Sequence, residues 1–333
     1  MTPKQRLFLR MEGKPVDKIP NLNIVMLFAA EYAGIKYGQF CSDYRKLVEA
    51  QMRTAEDFQI DILSTMSDPY RETADYGAKI RFCDDDLPIC DEIFLKSIKD
   101  FEQIRLWNPI NSVRMLDRIN AIRLFKEKSG NEYPILGWIE GAWAEFNDLT
   151  SMDEGMLMLF DEPDAVVQAM EKLTQQGIRC AIAQLDAGAD IIGIGDAAAS
   201  LVSPTTYRQY ILPFEKKMVD AIHDCGGKTK LHICGNITHI LPDIFTVGSD
   251  VVDIDYMVDI REAVTLSNGR CSVCGNLNPV DLIMQGQPQE IMSQVRNCIA
   301  NGDNRSIISS GCEIPRITPQ KNVLAIAQQL QQL

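Results

Sequence analysis

Eight short, β-rich apolar runs alternate with stretches of helical period along this chain. That alternation constrains its fold more than any single motif. The runs fall at 19–26, 61–67, 134–140, 189–196, 229–235, 250–256, 271–277 and 305–312. The helices between them carry clear signals. Ser203-Pro204 reads as an N-cap and first helical residue, followed by Tyr207, Ile211, Phe214, Met218 and Ile222 along one face, and Gly226-Gly227 ends the helix. Asp161 and Pro163 open a helix bearing Val166, Met170 and Leu173; Pro288 opens one bearing Ile291, Met292, Val295 and Ile299; and Thr318-Pro319 opens the last, bearing Val323, Ala327 and Leu330. Two insertions interrupt the pattern: an extra hairpin expected at 78–95, and a stretch at 141–160 that reads as a long loop. Strands alternating with helices imply parallel pairing through crossovers, in a closed barrel or an open doubly wound sheet. No G-x-G-x-x-G or P-loop follows the first run, which removes the main support for an open nucleotide-binding sheet. The expected fold is a single α/β domain over 1–333, a (β/α)8 TIM barrel, with its active site at the C-terminal strand ends.

Charge and cysteine usage narrow the function classes. The formal net charge of −13, with no run of Lys or Arg, argues against nucleic acid or anionic lipid as a partner. The longest early apolar run, 24–30, is too short to cross a bilayer, and no secretory signal is visible, so no membrane insertion is expected. Ten cysteines without such a signal fit reduced thiols and a cytoplasmic location.

The expected strand ends form a polar set: Asp68, Glu140, Asp196, His232 with Cys234, Asp255 with Tyr256, Asn276 and Cys312. Alternation along a strand puts His232 and Cys234 on one face, and barrel closure can bring Cys312 to them. One imidazole and two thiolates suit zinc, and three protein ligands leave the fourth position open, as in catalytic sites. The competing reading is ordinary burial, because cysteine is often simply in the core and a gap of this length is no compact zinc motif. Cys271 and Cys274, three apart on a strand, face opposite sides and read as packing. The remaining cysteines, with His223 and His239, show no ligand spacing. Asp68 and Asp196 each fit a helix N-cap. Glu140 lies in the apolar stretch GWIEGAW, where a carboxylate needs a partner or a purpose. The aromatics beside it, Trp138, Trp143 and Phe146, fit a pocket lining or core equally.

Several separated stretches, KQRLFLRMEGKPVDKIP, AGADIIGIGDAAASLVSPTTYRQYILPF, LHICGN, CGNLNP and SSGCEIPRITPQKNVLAI, occur in register from about residue 3 onward. Together they resemble the uroporphyrinogen decarboxylase superfamily, and most of all its zinc-dependent methyltransferase branch, typified by methylcobalamin:coenzyme M methyltransferases. The decarboxylases' R-Q-A-G-R motif has no counterpart, since NIVMLFAAEYAG lacks arginine, and Gly311-Cys312-Glu313 replaces their G-H-G turn. Asp68 in STMSDPY matches the family's acidic strand-end residue, and Asp196 matches the D-x-x-A-S of the methyltransferases. The resemblance implies a distorted TIM barrel with zinc on His232, Cys234 and Cys312. It also implies roles for Asp196 and Glu140 in catalysis or in orienting ligands, and substrate contacts from Asp68, Tyr256 and Asn276. The implied reaction moves a methyl group between a corrinoid (methylcobalamin) and a small-molecule thiol or methyl donor. No D-x-H-x-x-G motif occurs here, so the corrinoid would come on a partner protein docking over the barrel mouth. The alternatives are a decarboxylase-type lyase and a non-catalytic zinc- or corrinoid-binding accessory protein whose metal is closed by a fourth ligand such as Cys274 or Glu313.

Overall fold

The computed structural model describes residues 1–332. Seven strands, Leu63–Ser64, Ile135–Glu140, Ile191–Gly195, Lys228–His232, Val251–Asp253, Ser272–Leu277 and Ile307–Ser310, form one sheet whose spatial order is their chain order. Every neighbouring pair is parallel.

The sheet closes through the eighth expected run, 19–26. Asn21 bridges Ile308 in parallel, and Asp61 N–H donates to the Asn21 carbonyl at 2.8 Å, so this segment is bonded to both edges. It is nevertheless a single bridge and not the strand its composition suggests. Pro20 has no N–H to donate, and the Asn23 side chain accepts from Ser310 N–H at 2.7 Å where a ladder carbonyl would otherwise do so. The stave is a (β/α)8 element in position, with side-chain amides standing in for part of its ladder.

The hairpin at 78–95 is present, with Ile80–Arg81 paired antiparallel to Ile89–Cys90. Its tip lies on the helix Tyr37–Ser42, where Gly38 N–H donates to the Asp84 carbonyl at 3.1 Å. A Cβ at Gly38 would come 2.1 Å from the Cys83 carbonyl oxygen, so only glycine permits this seat.

The stretch 141–160 is not a loop. It folds as two helices, Ala142–Thr150 and Met152–Asp161, joined at Ser151. Trp143, Phe146 and Leu149 bury one face of the first helix in the core. Its cap comes from Asp196, whose carboxylate accepts from Ala144 N–H at 2.8 Å. A capping residue 52 positions away leaves no local start signal, which is why the segment reads as irregular.

Inside the barrel, Trp138 lies across the neighbouring strand. Cβ atoms at Gly193 or Gly195 would fall 2.2 and 2.7 Å from its ring, so the glycines of IIGIG make room for the indole.

Candidate metal centre and cavity

The strand Lys228–His232 ends one residue before Ile233, earlier than the run at 229–235 suggests, so Cys234 stands just beyond it. Gly235 then turns the chain at φ +86°, a conformation that favours glycine, and its N–H donates to Asp255 at 2.9 Å. On the far side of the barrel, the strand Ile307–Ser310 delivers Cys312 through Gly311. A Cβ at Gly311 would meet the Tyr256 nitrogen at 2.5 Å, so a side chain there would push the Cys312 loop off its neighbour.

These turns bring the three residues together. His232 Nε2 is 3.1 Å from Cys234 Sγ, and Cys234 Sγ is 3.8 Å from Cys312 Sγ. The ligand atoms all lie within 4.8 Å of one another, and among the described residues no other His, Cys, Asp or Glu joins the group. Cys274 is fully buried in the core, and Glu313 is held by Leu27 N–H at 2.6 Å. The spacing fits zinc, because two tetrahedral Zn–S bonds of about 2.3 Å set their sulfurs roughly 3.8 Å apart.

Asp253, which the strand-end reading did not single out, orients the imidazole. Its carboxylate lies 3.1 Å from His232 Nδ1, leaving Nε2 for the sulfurs, and it also pairs with the buried Lys230. Burial raises the Asp253 carboxyl, but Lys230 and His232 hold it down to about 2. A charged residue at the third position of the apolar run VVDIDY, with Lys230 two residues before His232, was the signal available in the sequence.

The three groups shift one another strongly. Burial works against a charge on His232, yet Asp253 and Cys312 raise it to about 9. The hydrogen bond with Cys234, helped by His232, draws Cys312 down to about 4 against the effect of burial. Cys234 moves the other way, pushed up first by the neighbouring Cys312 and then by burial.

The three residues open onto a cavity of about 240 Å³. Asp68 and Glu140 also line it, as does Glu313. The Asp68 carboxylate is fully engaged: it accepts from Arg114 Nη2 with both oxygens at 2.7 Å, from Ser67 Oγ at 2.7 Å and from Tyr70 N–H at 3.2 Å. Burial would raise it, but Arg114 and Arg71 hold it below the usual range. Glu140 Oε1 accepts from Trp138 Nε1 at 2.9 Å. Burial, and then the acidic neighbours Glu72 and Asp148, push its carboxyl well above the ordinary value.

Asp196 lies behind the cavity wall. Gly195 and Ala197 on either side line the space, while Asp196 turns toward the helix it caps, one oxygen left without a partner. Tyr256 and Asn276 are not brought to the cavity. They line a separate surface depression, where Asn276 Nδ2 donates to the carbonyls of Val258 and, at 3.3 Å, Asp255.

Comparison with known proteins adds five findings. The family model for uroporphyrinogen decarboxylase (URO-D) matches residues 2–333. Methylcobamide:CoM methyltransferase MtbA of Methanosarcina mazei is 28% identical over 329 residues, 97% of this chain and 95% of that protein. MtaA of Methanosarcina barkeri, also a methylcobamide:CoM methyltransferase, is 26% identical over 98% of this chain and 96% of its own length. A uroporphyrinogen decarboxylase of Carboxydothermus hydrogenoformans is 23% identical over 97% of this chain and 94% of that one. Among solved structures, a methyltransferase from Methanosarcina mazei superposes with a TM-score of 0.91 at 23% identity, covering 100% of this chain and 99% of that one, which establishes the barrel fold.

Proposed function

This chain belongs to the uroporphyrinogen decarboxylase family, and from that premise we propose that it is a zinc-dependent methyltransferase. It would move a methyl group between the cobalt of a corrinoid carried by a partner protein and the heteroatom of a small molecule. One observation carries the reading: His232, Cys234 and Cys312 converge at the C-terminal mouth of the barrel, beside a cavity, with no fourth protein ligand among the described residues. Three protein ligands and an open position are the pattern of catalytic zinc. The similarity to MtbA and MtaA supports the reaction class. A non-catalytic zinc protein is disfavoured, since neither Cys274 nor Glu313 closes the set.

Zinc bound there would lower the pKa of a substrate thiol, or polarise a methylated heteroatom, at its fourth position. The protein's own groups do the rest. Asp253 fixes the His232 tautomer by accepting from Nδ1, so that Nε2 is the ligating atom. Glu140 lines the cavity; with Oε1 accepting from the Trp138 indole N–H, Oε2 is the oxygen left to meet a substrate heteroatom. Ile24, Met66 and Trp138 give the cavity apolar walls that exclude water from the reacting sulfur. Asp68 ties Arg114 to the wall and so shapes the floor, while Asp196 positions the helix Ala142–Thr150 behind it. No helix among the described residues is long and apolar enough to cross a membrane, and all ten cysteines are free, which supports a reducing, cytoplasmic setting.

The test is an assay with methylcobalamin and a panel of thiols, run in parallel with methyl donors and reduced cobalamin. Transfer in either arm, lost in His232→Ala and Cys234→Ala, supports the proposal. A metal-loaded protein inactive in both arms contradicts it.

A further inference from the structure

Of the fifteen residues lining the cavity, none is lysine or arginine. We propose, on the methyl-transfer reading above, that this cavity takes a small uncharged molecule carrying the reacting heteroatom, and rejects anionic carriers such as a sulfonated thiol. The proposal rests on where the nearby charges are already committed.

No cation close to the cavity lines it. Arg118, behind Glu140, is fully buried, donates to the Trp138 carbonyl at 2.9 Å and lies 3.7 Å from Glu72, with Nε and Nη2 left unpartnered. Arg114 is paired with Asp68, and Arg71 with Asp117 at 2.9 Å. Arg316, a neighbour of Glu313, donates to the Asp85 carbonyl at 2.9 Å and lies 3.5 Å from its carboxylate, which holds it against the hairpin. Lys230 is bound to Asp253 below the metal ligands. A sulfonate or carboxylate entering here would lose its hydration, meet no lysine or arginine in the lining, and face Glu313. An unpaired buried ion costs several kcal/mol.

A cationic substrate finds no better match. Both Asp68 oxygens are taken, and Glu313 Oε1 accepts from Leu27 N–H. Glu140 is held by the Trp138 indole on one oxygen, and burial beside Glu72 and Asp148 disfavours its ionised form. What remains is one hydrogen-bonding group among apolar walls. The cavity has a volume of about 240 Å³. That is below the roughly 300–1,000 Å³ of sites for drug-sized ligands, as suits a small molecule. Leu87, from the hairpin at 78–95, completes the apolar wall, so this insertion contributes directly to selectivity.

Isothermal titration calorimetry of the metal-loaded full-length protein tests this with three thiols of equal length: mercaptoethanol, mercaptoethanesulfonate and cysteamine. Their S-methylated counterparts cover the donor direction. The neutral ligand of either series should bind at least about tenfold more tightly than its sulfonate and its ammonium analogue, and Leu87→Arg should narrow or reverse the gap to the sulfonate. Equal or tighter binding of the sulfonate, or of the ammonium compound, by the unsubstituted protein overturns the inference while leaving methyl transfer standing. Binding of no ligand in either series, with the metal present, overturns the methyl-transfer reading and the inference with it.

Discussion

Asp253 stands 3.1 Å from His232 Nδ1 and is itself bound to Lys230, so one buried carboxylate both fixes the imidazole and neutralises a buried ammonium. Removing it should have two separable effects. Asp253→Asn should weaken zinc binding by about 10–100-fold, and should destabilise the fold by roughly 3–5 kcal/mol because Lys230 is left unpaired. Adding Lys230→Met should restore much of the stability and none of the metal affinity. Chelator competition and urea denaturation on the single and double variants measure the two effects independently.

The ligand set predicts about one zinc per chain. Elemental analysis should find the metal lost in Cys312→Ala and kept in Cys274→Ala, since Cys274 lies in the core outside the cluster. Full occupancy in Cys312→Ala would show that these three residues do not hold it.

The two cavity carboxyls should respond to substitution in opposite ways. Asp68→Ala strands the buried Arg114 and should cost about 3–5 kcal/mol of stability. Burial disfavours the ionised form of Glu140, so Glu140→Gln should leave denaturation midpoints nearly unchanged while lowering turnover. A large stability loss in Glu140→Gln would mean that the carboxyl is ionised in the folded protein.

Glu215 provides a pH test away from the metal ligands. Burial raises it from 4.5 to about 7, although the Tyr207 hydroxyl, donating at 2.5 Å, works the other way. A carboxyl raised on folding binds its proton more tightly in the native state. Its contribution to stability is therefore complete below about pH 4.5 and is lost as pH rises through about 7. Urea denaturation at pH 5 and pH 8 should show this loss in the unsubstituted protein and a smaller one in Glu215→Gln.

Much of this protein is written in its local pattern. Apolar runs of strand length, separated by stretches with Pro and Ser at their starts, determined the parallel barrel, because pairing and burial follow from periodicities of two and of about 3.6 residues. The strand-end rule also brought His232, Cys234 and Cys312 to one mouth, since each closes or follows an apolar run. Tertiary structure decided what depends on partners far apart in the chain. Asn21 closes the barrel only because Ile308 and Asp61 lie on either side of it. The helix Ala142–Thr150 exists with its cap on Asp196, and reads as a loop without it. Tyr256 and Asn276, polar and at strand ends, are turned to another depression by the early end of the strand Val251–Asp253 and by the bonds of Asn276 to the loop behind it. The charge of the cavity was settled the same way. The arginines of the sequence are not absent from its surroundings; Asp68, Asp117 and Asp85 hold them, and only the folded register puts each beside its carboxylate.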